Sequence, residues 1–140
     1  MNDLASVPAP QYGIALLRVS LGLMWIAHAL LKWFVFTSPG TARYFESVGF
    51  PGFLTYPVFG IELLGGLALV FRVYARQAAL ALVPLMAAAT WVHLGNGWAH
   101  TSPGGGWEYP AFLIVASSAV WLLGDGVAAL RRSDRFAPAD

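Results

Sequence analysis

The sequence predicts an all-α fold, a bundle of four transmembrane helices with a short interfacial helix between spans one and two. Two observations carry this prediction. Of 140 residues, 58% are hydrophobic and only 11% charged, whereas a soluble domain carries about 25% charged residues. The apolar residues also come in long runs separated by Pro-Gly, arginine-marked and glycine-rich breaks. A run of roughly 20 helical residues is enough to cross the ~30 Å hydrocarbon core of a bilayer. A net charge of +1 offers no basic surface for nucleic acid. The absence of cysteine excludes a disulfide framework, thiolate-ligated zinc and cysteine-held iron–sulfur clusters.

Each element has its own signal. Residues 1–11 form a polar lead-in with an acidic residue and no Lys or Arg, so no cleaved signal peptide is expected. The first span is predicted at 12–36, and Thr37-Ser38-Pro39-Gly40 is expected to end it. Residues 41–53, with Tyr44, Phe45, Val48 and Phe50 among polar neighbours, read as a short interfacial helix or re-entrant segment. The second span is predicted at 54–73, where Pro57 is tolerable because it falls in the first turn. Arg72, Tyr74 and Arg76 mark a tight hairpin. The third span follows at 75–94, with Pro84 expected to kink it. Residues 95–106 form a glycine-rich loop without Lys, Arg, Asp or Glu. The fourth span is predicted at 108–124, with an extension as far as Leu130 left open, and a polar tail occupies 131–140. The whole chain reads as one membrane domain without an internal repeat.

The positive residues orient the bundle. Arg72, Arg76, Arg131, Arg132 and Arg135 fall on the side of both termini, against Arg43 and Lys32 on the other. The positive-inside rule then puts both termini in the cytoplasm, with the protein in the cell (inner) membrane and loops 37–53 and 95–106 outside. Gly60, Gly65, Gly66, the Ala87–Ala89 run and the Ser117-Ser118 pair are expected to allow close helix approach.

Charges inside the spans point to a site. A charged side chain at bilayer depth costs at least ~2.5–3.5 kcal/mol on insertion scales, so it is normally turned inward and partnered. In the first span, Arg18, Trp25 and Lys32 recur every seven residues with His28 between them, all within one broad stripe. At ~1.5 Å per residue, His28 lies roughly 12 Å below the outer surface and Glu62 reaches a similar level, so these two are expected to pair. Arg18, about 15 Å deeper, reads as a structural guanidinium that snorkels or binds carbonyls. His93, Asn96, Trp98, Trp107 and Glu108 gather near the outer mouth, and Lys32 lies one turn above His28. The result is an outward-open polar funnel floored by Glu62 and His28, the candidate catalytic pair. Lys32, His93, Asn96, Trp98, Trp107 and Glu108 are the candidate ligand-binding residues.

Each of these residues also has a plainer explanation. The outer tryptophans, His93 and Glu108 would suit an ordinary aromatic belt, Lys32 would suit headgroup contact, and a His28–Glu62 bond would lock two helices. A quinone or small phenolic ligand fits the residue types, with His28 or His93 donating to one oxygen under Trp98 and Trp107. No metal is expected, because no HxxxH or ExxH spacing occurs. A haem on His28 and His93 is not expected either, since their depths differ by roughly 8–10 Å. No dinucleotide fingerprint supports flavin or nicotinamide binding.

The blocks LLRVSLGLMWIAHALLK (16–32), GTARYFESVGFP (40–51), GIELLGGLAL (60–69) and HLGNGW…GGWEYP (93–110) resemble the DoxX family of small four-helix membrane proteins, in the family's order. Arg18, His28, Lys32, Glu62, Gly65, Gly66, His93, Asn96, Gly97 and Glu108 fall on family-like positions, while Ala29 stands where a glycine is expected. The resemblance extends to the small subunit of thiosulfate:quinone oxidoreductase. It implies a quinone-facing or membrane-anchoring subunit of an oxidoreductase system, working with a redox partner subunit in the lipid bilayer, rather than an autonomous enzyme. A homo-oligomer is compatible with this reading. The alternative is a non-enzymatic membrane scaffold, or a small-molecule transporter or binding protein.

Overall fold

Five α-helices follow one another in the computed structural model, which describes residues 8–127 and Ser133. They are α1 (Ala9–Leu30), α2 (Ser38–Ser47), α3 (Thr55–Phe71), α4 (Ala75–His93) and α5 (Glu108–Leu123). No strand occurs among the described residues. The chain segments Ala9–Val35, Gly52–Phe71 and Ala75–Asn96 are long and apolar enough to cross a membrane, and Glu108–Leu123 is a shorter apolar helix. At 16 residues, α5 is about 24 Å long. The helix does not extend toward Leu130: it stops at Leu123, where Gly124 turns to φ 95°, and residues 124–127 are not helical. Nearly all of the polar tail lies outside the described residues.

α1 packs most extensively on α3, and α4 on α5; the two pairs join through α3–α4 and α1–α5 contacts. Glycine sets the α1–α3 approach. A Cβ on Gly22 would come within 2.8 Å of the Gly66 carbonyl oxygen, and one on Gly66 equally close to that of Gly22. Neither position accepts a side chain without moving backbone. Gly65 faces Leu82 of α4, whereas Gly60 faces open space, so its predicted packing role is not used among the described residues. The core is built from Leu21, Trp25, Leu69, Ala75, Ala79, Leu82, Leu113, Ala116 and Val120.

Two junctions differ from the sequence expectation. The first span ends in a π-turn, Leu31–Val35, in which Phe36 N–H reaches back five residues to the Leu31 carbonyl. Such wide turns recur at functional sites. Pro39-Gly40 lies inside α2 rather than in a break, because Pro39 occupies the first turn, where no backbone N–H is missed. Thr37 caps that turn, its hydroxyl accepting from Gly40 N–H at 3.3 Å. α2 is anchored to the π-turn by buried Thr41, whose hydroxyl donates to the Lys32 carbonyl at 3.3 Å. At the opposite end, Arg72 and Tyr74 both take left-handed backbone (φ 55° and 48°) to close the α3–α4 hairpin.

Candidate functional site

Burial is uneven along the bundle, whose outer half is here the end with the glycine-rich loop and whose inner half is the end with the Arg72–Tyr74 hairpin. Every buried residue of α4 (Ala75, Arg76, Ala79 and Leu82) precedes Pro84. From Leu85 to His93 no residue is fully buried, and Ala87 and Trp91 are exposed. In this outer half of α4, Leu85 and Met86 pack against the core only from its edge.

The polar side chains of α1 sort by depth. Arg18, 3% exposed, donates through Nη1 to the carbonyls of Leu69 and Val70, the latter at 3.0 Å. These carbonyls belong to the last turn of α3, which has no intrahelical donors for them and carries the negative end of the helix dipole. Arg18 is thus bonded to carbonyls and does not snorkel to the surface.

Glu62, 2% exposed, does not pair with His28. Its two carboxylate oxygens accept from Lys32 Nζ at 2.7 and 2.8 Å. A buried carboxylate is better compensated by a full positive charge than by a neutral imidazole. The four-carbon lysine stem also reaches a full turn along the bundle, a reach that a depth estimate based on helix rise leaves out. Lys32 sits in the π-turn and keeps 22% of its side chain exposed.

His28 is instead committed locally. Its Nδ1 lies 2.8 Å from the Met24 carbonyl oxygen. A carbonyl only accepts, so Nδ1 carries the proton and, in the neutral ring, Nε2 is left as an acceptor. His93 does the same with Ala89 at 2.7 Å. The expectation that one of these histidines donates to a ligand is therefore reversed for the neutral ring. The rings differ in their surroundings: His28 stacks on Tyr109 of α5 with centroids 5.7 Å apart, whereas the Cδ2–Nε2 edge of His93 abuts Gly105 of the glycine-rich loop.

That loop organises the remaining candidates. Asn96 donates to the carbonyls of Gly104 and Gly105 at 3.1 and 3.0 Å, holding the loop against His93. Trp98 and Trp107 meet edge to face at 4.6 Å. They are joined at their bases by Trp107 N–H to Gly97 O (3.2 Å) and Glu108 N–H to Trp98 O (3.1 Å). Gly106 passes so close to the Trp98 and Ala99 carbonyls that no side chain fits there. Glu108 accepts from His100, from both its backbone N–H and its Nδ1, at 2.8 and 2.9 Å. It therefore closes the loop rather than joining His93.

His100 and Tyr109 are not among the sequence candidates. His100 stands in a stretch with no other ionisable residue, eight positions before Glu108, which was its available signal. Tyr109 could be placed only by its partner on α1. Its hydroxyl is buried without a hydrogen-bond partner, as are Trp25 Nε1 and Ser117 Oγ. No group of three His, Cys, Asp or Glu side chains among the described residues is placed to hold a metal.

Comparison with known proteins adds the setting. The DoxX family profile matches residues 13–95. The protein named "Putative oxidoreductase CatD" from Bacillus subtilis is 36% identical over 66 residues, 47% of this chain and 48% of that protein. The chain thus aligns with about half the length of this curated relative. No solved structure matches.

Proposed function

The chain belongs to the DoxX family, and on that premise we propose that the outer half of the bundle holds a small aromatic ligand bearing oxygen, a quinone or a phenol. The protein would act as a ligand-holding or membrane-anchoring subunit of an oxidoreductase system. The observation that carries this reading is the pairing of His28 with Tyr109. An imidazole with a bare Nε2 lies against a phenol ring whose hydroxyl is buried and unpartnered. An aromatic wall with a few convergent polar groups is the usual make-up of a small-molecule site. The ion pair of Lys32 and Glu62 lies one turn outward along α1, and the crossed Trp98–Trp107 pair stands at the same end. The relative's name as an oxidoreductase supports the redox setting.

Purification in mild detergent followed by mass analysis of co-extracted small molecules tests this reading. A quinone or phenol in stoichiometric amount is the expected result. An empty extract, together with failure to bind an added quinone or hydroquinone, overturns it. The proposed orientation places the glycine-rich loop outside and the Arg72–Arg76 hairpin in the cytoplasm. In intact cells, a membrane-impermeant thiol reagent should label a cysteine substituted for Thr101 and spare one substituted for Tyr74; the reverse pattern would invert the orientation.

A further inference from the structure

We infer that the site takes its ligand in the hydroxyl form, as a phenol or hydroquinone whose O–H donates to His28 Nε2. This rests on the ligand reading just given and goes further by choosing between oxidation states. With Nδ1–H committed to the Met24 carbonyl, the neutral His28 ring presents only a lone pair at Nε2. That nitrogen has no partner among the described residues. One face of the ring stacks on Tyr109, so a ligand hydroxyl meets the ring at its edge. A quinone carbonyl brings a second acceptor to this nitrogen and leaves it without a hydrogen bond, and unmet polar groups are what sites discriminate against most strongly. His93 carries the same tautomer, but its corresponding edge faces the Gly105 backbone. His28 is therefore the open acceptor of the two.

Two of the other unmet groups, on the helices that carry His28 and its stacking partner, have complementary needs. Trp25, one turn inward of His28 on α1, has a buried Nε1–H that can only donate, and Tyr109 has a buried hydroxyl able to do either. Tyr109 packs against the cluster that contains Trp25. A hydroxyl oxygen that donates its proton to His28 keeps lone pairs able to accept from a donor of this kind. A carbonyl oxygen serves only the second role, and an aryl ether likewise.

The test is anaerobic equilibrium binding of three probes to the full chain in phosphatidylcholine nanodiscs: tetramethylhydroquinone, the corresponding benzoquinone, and the hydroquinone dimethyl ether. The parent protein is expected to bind the hydroquinone at least about tenfold more tightly than the other two. His28→Phe keeps a ring to stack on Tyr109 and removes the acceptor, so it should bring the hydroquinone to the level of the ether. His28→Gln, whose side-chain carbonyl accepts, should restore part of the preference. Histidine ¹⁵N spectra of the parent protein give a readout independent of the variants' folding: the hydroquinone, and not the ether, should shift an unprotonated Nε2 resonance. Equal binding of all three probes, or a preference that survives in His28→Phe, overturns this inference while leaving the ligand reading standing. If none of the three binds, the ligand reading falls with it.

Discussion

The inner and outer halves of this bundle use similar residue types to opposite ends. Around Arg18, Gly22, Gly66 and Leu69 the helices touch backbone to backbone, and the guanidinium is spent on α3 carbonyls. Around His28, Lys32 and Glu62, α4 contributes no buried side chain beyond Pro84, and an imidazole nitrogen, an indole N–H and a phenol hydroxyl lack partners. In a membrane interior, unmet polar groups carry a cost, and here those at the His28–Tyr109 seam lie toward the end where α4 buries no side chain. The contrast teaches that a charge within a span does not by itself mark a site. Arg18 keeps a buried Nε without a partner, but its Nη1 is held by two carbonyls. What distinguishes the two halves is how closely the helices pack around the polar group.

Substitutions should separate the halves by the size and kind of their effect. The largest loss is expected for Lys32→Met, which strands the Glu62 carboxylate in the bundle at a cost of ~3–5 kcal/mol. Glu62→Gln should cost less, because a partly exposed lysine can turn its ammonium toward the headgroups. The double variant Lys32→Met/Glu62→Leu should cost less than the sum of its parts. Chemical unfolding in detergent measures all three, and strictly additive losses would show that the two groups do not interact. Next comes Arg18→Leu, which removes charged hydrogen bonds and should cost about 1.5–3 kcal/mol. Gly66→Val drives a side chain into the Gly22 carbonyl and Ile26, for a loss of about 1–3 kcal/mol. Gly60→Ala, facing open space, should be neutral or stabilising by up to about 1 kcal/mol. If Gly60→Ala destabilises as much as Gly66→Val, then Gly60 is covered by something other than lipid, such as a second copy of the chain.

The apolar runs and their breaks make the helices legible from the sequence alone, because membrane thickness fixes how long a run must be. Arg18 is legible too, since its depth leaves it little to bind but carbonyls. Three features are not. The partner of Glu62 depends on the reach of a lysine side chain and on a π-turn with no sequence signature. Composition locates glycines but does not say which face they occupy, so Gly60 reads as a packing residue while Gly22 does not stand out. Tyr109 acquires its meaning only from contact with a residue 81 positions earlier, which no local pattern reports.

The division between a packing half and a binding half is tested most directly by measuring hydroquinone affinity in nanodiscs for two variants, each corrected for its folded fraction. His28→Ala removes the stacked ring and the acceptor from the outer half, and should weaken binding at least about tenfold, the equivalent of ~1.4 kcal/mol. Arg18→Leu removes the buried guanidinium from the inner half and should leave the affinity of the folded protein within about twofold of the parent, less than ~0.5 kcal/mol. Equal weakening in the two variants, or loss in Arg18→Leu alone, would contradict the account.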